Sequence, residues 1–304
     1  MAARRGAWAG RLWRNRNGRV GLLIVGALLL VAAAAALGLL PHPPIVPHPD
    51  DRFAPPSATY WLGTDQFGRD VASRVAAGVL ASLRIAVVAV ALATVVGAVG
   101  GIVAGFFGGW LDRGISRVTD ILFAFPAILL ALAIVAALGR GWLNTTIAIA
   151  VVYTPIFVRV ARGPVLSVRE SDYIKAGRVL GYRAPRLLFR HVLPNVTAPL
   201  IVQVALALSW AILTESGLSF LGLGTQPPEP SLGLMVSEAR TLFARAWWLL
   251  VFPSAAIVLA VIGLNLLGDG LRDVLDPTRA PAGRRGRRRS RPEAPAEVPA
   301  TPVS

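Results

Sequence analysis

The 304-residue sequence contains no cysteine, which excludes a disulfide framework, thiolate metal sites and a cysteine nucleophile. Charged residues are also scarce, at 15% of the chain, whereas soluble proteins average about 25%. Lysine occurs once, at Lys175. Because Lys175 follows Ile174 and not glycine, the chain lacks the phosphate-binding loop GxxxxGK[ST]. Any work driven by a nucleotide must therefore come from a partner protein.

Hydrophobic residues make up 55% of the chain and are gathered into long runs. A helix needs about 20 apolar residues to cross a bilayer core of about 30 Å. Six windows reach or approach that length, at residues 20–40, 85–107, 119–138, 143–158, 199–221 and 248–267. The sequence predicts an all-α polytopic membrane protein with six transmembrane helices. The first window is too long for the apolar region of a signal peptide and is predicted to be a retained anchor.

Basic residues are distributed unevenly between the two sides of the predicted bundle. If the N-terminus is cytoplasmic, 24 of the 31 basic residues lie on the inner side and 7 on the outer side. Cytoplasmic loops carry an excess of lysine and arginine, so the chain is predicted to span a bacterial cytoplasmic membrane with both termini in the cytoplasm. The arginines would also attract anionic membrane lipid. The run 284–291 is rich in arginine and could instead bind nucleic acid, but attraction to lipid is the favoured explanation. No nucleic-acid partner is expected.

The predicted spans divide the chain into five parts. These are a cytoplasmic N-terminal segment 1–19, a first transmembrane helix 20–40, an external loop 41–84, a core domain 85–268 with a cytoplasmic loop 159–198, and a tail 269–304. The tail is basic and rich in proline, and such a composition predicts disorder.

Glycines recur at every fourth residue near the second predicted span, at Gly97, Gly101, Gly105 and Gly109. Residues at this spacing share one helix face, and glycine lets a neighbouring backbone approach closely. The stripe predicts a tight helix contact; a pore-lining face is the alternative.

Glu215 is the only acidic residue well inside a predicted span. A carboxylate there indicates either a place on a translocation path, as a solute ligand or proton carrier, or a structural hydrogen bond to a neighbouring helix. No catalytic or metal-binding set accompanies it, since His42 and His48 lie in the predicted outer loop and His191 lies on the other side of the membrane. The chain is therefore not expected to be an enzyme.

The predicted cytoplasmic loop contains two short helical segments. The first begins at Ser171 or Asp172 and is predicted to stop at Gly181 in a left-handed conformation. Its residues Tyr173, Gly177 and Leu180 share one face, which suits docking in a groove of a partner; a helix lying on the membrane surface is the alternative. The second segment, 184–193, is predicted to end at Pro194.

This loop resembles the EAA loop of ATP-binding-cassette importer permeases, whose pattern is E-A-A, three residues, G, nine residues, I, one residue, L-P. The matching positions, at the same spacing, are Lys175, Ala176, Gly177, Gly181, His191, Leu193 and Pro194. Stretches 62–70, 215–224 and 265–273 are further similar to the C-type permease subunits of dipeptide, oligopeptide and nickel importers. Lys175 replaces the family's glutamate, Gly177 its second alanine and His191 its isoleucine, and the first change reverses any salt bridge to the ATPase.

The resemblance implies a type I ABC importer permease that forms half of a translocation pathway and is coupled to ATPase subunits through this loop. The coupling residues would be Tyr173, Ile174, Lys175, Ala176, Gly177, Leu180, Gly181, His191, Leu193 and Pro194. The implied partners are a homologous second permease, two ATP-binding subunits that hold ATP and magnesium, and an external solute-binding protein. The solute could be a dipeptide, a longer peptide, a nickel chelate or a glutathione-like molecule. An ion-coupled transporter that works alone is the main rival, but it should have several intramembrane ionisable residues and an inverted repeat.

Overall fold

The computed structural model describes residues 5–275, with side chains from residue 10 onward. Within this range the chain is helical and has no β-strand, so the predicted all-α class is confirmed. The helices are α1 (Arg5–Arg14), α2 (Arg16–Ala36), α3 (Val71–Phe107), α4 (Gly109–Phe123), α5 (Ala127–Leu138), α6 (Trp142–Arg169), α7 (Asp172–Val179), α8 (Ala184–Leu187), α9 (Leu193–Phe220), α10 (Leu232–Ala239) and α11 (Trp248–Leu275).

Among residues 5–275, five helices are long and apolar enough to cross a membrane: Arg16–Ala36, Val71–Phe107, Trp142–Arg169, Ala184–Phe220 and Trp248–Leu275. The remaining predicted span, 119–138, is broken. It is shared between α4 and α5, which are bent by 93°. Pro126 lies at this break, where its missing N–H and fixed φ prevent a continuous helix. The six predicted spans therefore correspond to five long helices and one bent pair.

Most helices extend beyond the predicted apolar windows. Helix α3 begins at Val71, so the second half of the predicted external loop 41–84 is helical. Helix α6 runs eleven residues into the predicted cytoplasmic loop, and α11 continues to Leu275, inside the predicted tail; residues 276–304 of that tail lie outside the described residues. An apolar window ends at the first charges, whereas a helix ends at its caps. Asp70, for example, caps α3 by accepting a hydrogen bond from the Ser73 N–H.

The second short segment of the loop is not a separate helix, and the prediction that it ends at Pro194 was wrong. Helix α8 passes through a π-helical turn, Leu188–Val192, directly into α9. Pro194 lies in the first turn of α9, where a proline N–H would not be needed for helical hydrogen bonding. The loop therefore consists of one short helix, α7, followed by a long helix that reaches Phe220.

Of the four apolar clusters among the described residues, two position the helices around the loop. The larger one joins α3, α5, α6, α9 and α11 around residues such as Ile85, Ile149 and Phe157. The smaller one lies near the α6–α9 loop, where Ile174 of α7 and Leu187 of α8 pack with Phe106, Val165 and Val196 from the long helices. The smaller cluster attaches the loop to the bundle.

Candidate coupling site

Helix α7 begins immediately after Ser171, which has an extended backbone with φ −70° and ψ 146°. The Ser171 carbonyl accepts hydrogen bonds from the N–H groups of Ile174 and Lys175, while its hydroxyl donates back to the Val168 carbonyl at 2.5 Å. Asp172 places a carboxylate in the first turn, where the helix dipole favours negative charge.

Helix α7 ends in a Schellman motif centred on Gly181, as predicted. Gly181 has a φ of +76°, which glycine adopts without strain. Its N–H donates to the Arg178 carbonyl at 3.0 Å, and the Tyr182 N–H donates to the Gly177 carbonyl at 2.9 Å. This turn sets the direction in which the chain leaves α7 for α8.

The buried face of α7 differs from the predicted docking face. Ile174 is fully buried, and a Cβ added at Gly177 would lie 3.0 Å from the Leu187 side chain. Tyr173 and Leu180, in contrast, are 51% and 70% exposed. Gly177 therefore serves the contact between α7 and α8, and it does not belong to a surface shared with Tyr173 and Leu180.

The residues that the loop leaves exposed include several large apolar side chains. Val179 and Phe189 are 88% and 73% exposed, and Tyr173 and Leu180 are exposed as well. We call these four residues the exposed loop surface. Large apolar side chains left exposed on a polar loop are candidates for contact with a partner.

The remaining residues of the EAA-like pattern differ in exposure. Ala176 and Pro194 are exposed, as is Leu193 at the start of α9, while His191 is half-buried in the π-helical turn. Lys175, at the position of the family's glutamate, lies 3.8 Å from Glu170. The base is thus paired within this chain.

Glu215 is fully buried and is held by three serine hydroxyls. Ser82 of α3 donates to Oε2 at 2.6 Å, and Ser219 of α9 donates to Oε1 at 2.7 Å. Ser231, the residue before α10, contributes a longer hydrogen bond of 3.3 Å to Oε1. The carboxylate therefore links three parts of the chain and is closed to a solute in this conformation.

Three of the four stripe glycines lie against α6. A Cβ at Gly97 would be 2.5 Å from Phe157 Cβ, one at Gly101 would be 2.8 Å from Ala161 Cβ, and one at Gly105 would be 2.9 Å from Val165 Cβ. Gly109 is different, because α3 has already ended at Phe107 and no atom lies within 4 Å of its Cβ position. Its inclusion in the stripe was wrong.

Two ion pairs between α4 and α6 were not predicted from the sequence. Asp112 accepts two hydrogen bonds from Arg162, at 2.6 and 2.8 Å, and Asp120 accepts one from Arg159 at 2.8 Å. Acids eight residues apart share a helix face, as do arginines three apart, so this spacing could have indicated the pairing. The apolar window of the fourth span ends at Val158, so Arg159 and Arg162 fall outside the predicted helix and their pairing is not apparent from that window.

The outer loop is held by polar contacts within itself and to the bundle. Asp65 accepts a hydrogen bond from Arg69 Nε of the same loop at 2.6 Å. The indole N–H of Trp248 in α11 donates to the Thr64 carbonyl at 3.1 Å and so attaches the loop to the bundle. These residues belong to, or contact, the 62–70 stretch that resembles the C-type subunits.

Tyr60 connects two other parts of the outer loop. Its hydroxyl donates to the Asp51 carboxylate at 2.8 Å, and this hydrogen bond raises the pKa of Tyr60 above its ordinary value. Its ring also lies 4.9 Å from that of His42.

Comparison with known proteins places this architecture in a family. Residues 97–280 match the family described as the inner membrane component of binding-protein-dependent transport systems. The chain is 45% identical, over 88% of both sequences, to the dipeptide transport system permease protein DppC of Alkalihalophilus pseudofirmus. It is 46% identical, over 73% of both sequences, to the glutathione transport system permease protein GsiD of Escherichia coli.

A solved structure agrees at the level of the fold. The chain resembles a chain of the MetNI methionine ABC transporter in an inward-facing conformation, with a TM-score of 0.55 and 17% identity, covering 66% of this chain and 94% of that one. The resemblance to importer permeases is thereby confirmed. This chain belongs to the family of inner membrane components of binding-protein-dependent transport systems.

Proposed function

We propose that this chain is one of two permease subunits in an ATP-driven importer of dipeptides, oligopeptides or similar small solutes such as glutathione. Family membership supports the transport role, and the names of the relatives support the class of solute. The observation that carries the proposal is the exposed loop surface. Tyr173, Val179 and Leu180 are exposed along and at the end of α7, which is attached to the bundle through Ile174, and Phe189 is exposed in the π-helical turn.

The attachment explains how motion at the loop can reach the membrane. Ile174 packs in one cluster with Leu187 and Val192, which belong to α8 and the π-helical turn. Both continue without a break into α9. A partner that displaces α7 therefore displaces the end of a helix that spans the bilayer.

The proposed transport system contains four further protein subunits and a solute. Two ATP-binding subunits carry ATP and magnesium and contact the exposed loop surface. A homologous permease forms the other half of the pathway, and an extracytoplasmic solute-binding protein delivers the solute to the outer loop. Both termini and the α6–α9 loop lie on the cytoplasmic side, as the arginine distribution requires. ATP hydrolysis takes place on the ATP-binding subunits.

Reconstitution tests this assignment. The chain, its second permease and both ATPases are assembled in proteoliposomes, and uptake of a radiolabelled dipeptide is measured with the binding protein present outside. We expect uptake that requires ATP and every subunit. A matched complex carrying Leu180→Asp in the exposed loop surface should lose assembly with the ATPases, because burying a charge in an apolar contact is unfavourable.

Two outcomes would contradict the proposal. Solute uptake by this chain alone, driven by an ion gradient, would establish an ion-coupled transporter. An assembled complex that hydrolyses ATP but accumulates no peptide of any length would exclude peptides as the solute.

A further inference from the structure

Two neighbouring cavities lie beside α4 and α6. The first has a volume of about 470 Å³ and a lining of mixed polarity that includes Asp120, Arg159 and Arg162. The second has a volume of about 300 Å³ and an almost entirely apolar lining from α3, α4 and α6. Thr119 and Val158 line both cavities, so the two lie side by side. Binding sites for small molecules have volumes of about 300–1,000 Å³.

The two ion pairs between α4 and α6 differ in character. Asp112 and Arg162 are joined by two parallel hydrogen bonds and are 21% and 34% exposed, so they hold the helices together. Asp120 and Arg159 share a single contact of 2.8 Å and are 62% and 54% exposed. The second pair therefore has hydrogen-bonding capacity to spare.

Arg159 is also oriented by an aromatic ring. Its guanidinium carbon lies 3.9 Å from the centre of the Phe123 ring, at the end of α4. A guanidinium stacked in this way keeps its edge free for a planar, two-oxygen partner.

The position of the pair indicates what it faces. Arg159 is the first residue after the predicted span 143–158, and Asp120 is the second residue of the predicted span 119–138. Both residues therefore lie at the predicted cytoplasmic boundary of the membrane, where this exposed ion pair faces water. That position corresponds to the cytoplasmic mouth of the proposed pathway.

We infer that Asp120 and Arg159 form a subsite for the charged ends of a zwitterionic peptide on its way through the membrane. Arg159 pairs with the peptide carboxylate, Asp120 pairs with the peptide ammonium group, and a side chain of the peptide enters the apolar cavity. This inference rests on the proposed function, since it names residues that contact the proposed solute.

The existing pair makes such a site both selective and weak. Each charge has a partner before the peptide arrives, so a peptide must exchange one ion pair for two. Binding is then too weak to trap the solute, which a transport pathway requires. A solute lacking either charge leaves one member of the pair without compensation.

Photocrosslinking during turnover tests the inference. The complete importer in proteoliposomes is supplied with its binding protein, ATP and a dipeptide that carries a benzophenone side chain, and the attached residues are identified by mass spectrometry. We expect attachment within residues 115–123 or 154–163. Arg159→Gln and Asp120→Asn should each lower both this attachment and dipeptide uptake by about tenfold, which is the loss of one charge-assisted hydrogen bond.

Arg113→Gln is the matched control, because Arg113 lies on α4 but lines neither cavity, and its side chain donates a hydrogen bond to the Gly109 carbonyl of the same helix. It should leave attachment and uptake within about twofold of the unmodified importer, since no contact with the solute is lost. A folded-state readout accompanies each variant: assembly with the ATPases and basal ATP hydrolysis should be unchanged.

The outcomes separate the subsite from the proposed function. If the unmodified importer transports the dipeptide but attachment falls elsewhere, or the two variants keep full uptake, the subsite is refuted and the proposed function stands. The subsite is also refuted if a phospholipid occupies the cavity and the variants displace this phospholipid without changing uptake. If the unmodified importer transports no peptide, both are refuted together.

Discussion

The imidazole ring of His191 lies 5.8 Å from the phenol ring of Tyr173, with an angle of 46° between the ring planes. Tyr173 belongs to α7, and His191 belongs to the π-helical turn that leads into α9. The contact therefore joins the short loop helix to a membrane-spanning helix. It adds to the buried packing of Ile174 on Leu187 and lies at its edge, where a partner can reach Tyr173.

Replacing Gly181 by valine should uncouple ATP hydrolysis from uptake in the reconstituted importer. At a φ of +76° a β-branched residue costs about 1–3 kcal/mol, so the turn after α7 should change its direction. The measurement is the number of dipeptides taken up per ATP hydrolysed. Gly26→Val is the control, since nothing lies within 4 Å of the Gly26 Cβ position in α2. An equal number of dipeptides per ATP in both variants would show that coupling does not depend on the geometry of this turn.

The fold class could be predicted because long apolar runs need only length to be recognised. The interruption at Pro126 could have been anticipated, but a 93° bend depends on how α5 packs on α6, which the sequence does not display. The continuity of α8 with α9 is not apparent from the sequence for a similar reason. Pro194 predicts a helix end, although proline also fits the first turn of a helix.

The position of the coupling loop was predictable from spacing, but its faces were not. Tyr173, Gly177 and Leu180 share a stripe on a helical wheel, yet Ile174 is the residue that packs inward. Which face of α7 is buried depends on Leu187 and Phe106, which come from other parts of the chain. Local periodicity cannot distinguish an apolar face that is buried within the chain from one that is left for a partner.

Gly101→Leu should destabilise the bundle much more than Gly26→Leu. A Cβ at Gly101 already overlaps the Val158 carbonyl, so a leucine would separate α3 from α6, at a cost of about 1–3 kcal/mol or more. The measurement is the midpoint of thermal unfolding in detergent, together with the yield of folded protein. Equal midpoints would mean that α3 and α6 do not pack at this face in the membrane.

Glu215→Ala should loosen the outer end of the bundle. The change leaves the hydroxyls of Ser82, Ser219 and Ser231 without their shared acceptor, and each unsatisfied buried group costs about 1–3 kcal/mol. Limited proteolysis of the segment between α9 and α10 should become faster. Glu229→Ala, which removes an exposed acid from that segment, should not change the rate. If Glu215→Ala abolishes uptake without faster proteolysis, the carboxylate acts on the solute instead.

The absence of native cysteine makes the proposed topology directly testable. Ala58→Cys, in the exposed outer loop, should react with a membrane-impermeant maleimide in intact cells. Ala9→Cys and Ser290→Cys should react only after the membrane is permeabilised, because the arginine excess retains both termini inside. Labelling at residue 290 in intact cells would reverse the assignment of the C-terminus.

Lys175→Glu restores the residue of the family pattern and tests whether the partner has adapted to a base. Lys175 and Glu170 are both more than half exposed and 3.8 Å apart, so their pairing contributes less than about 1 kcal/mol and the isolated chain should keep its stability. If the ATPase groove matches lysine, the reversal should weaken assembly, and more strongly at low salt than at high salt, where charge interactions are screened. The measurement is the dissociation constant of the ATPases for the detergent-solubilised permease at two salt concentrations. Lys175→Gln serves as the matched control: it removes the charge without reversing it and should fall between the two. A variant that binds more tightly than the natural chain would mean that the groove still favours an acid, and that the apolar contacts of the exposed loop surface compensate for Lys175.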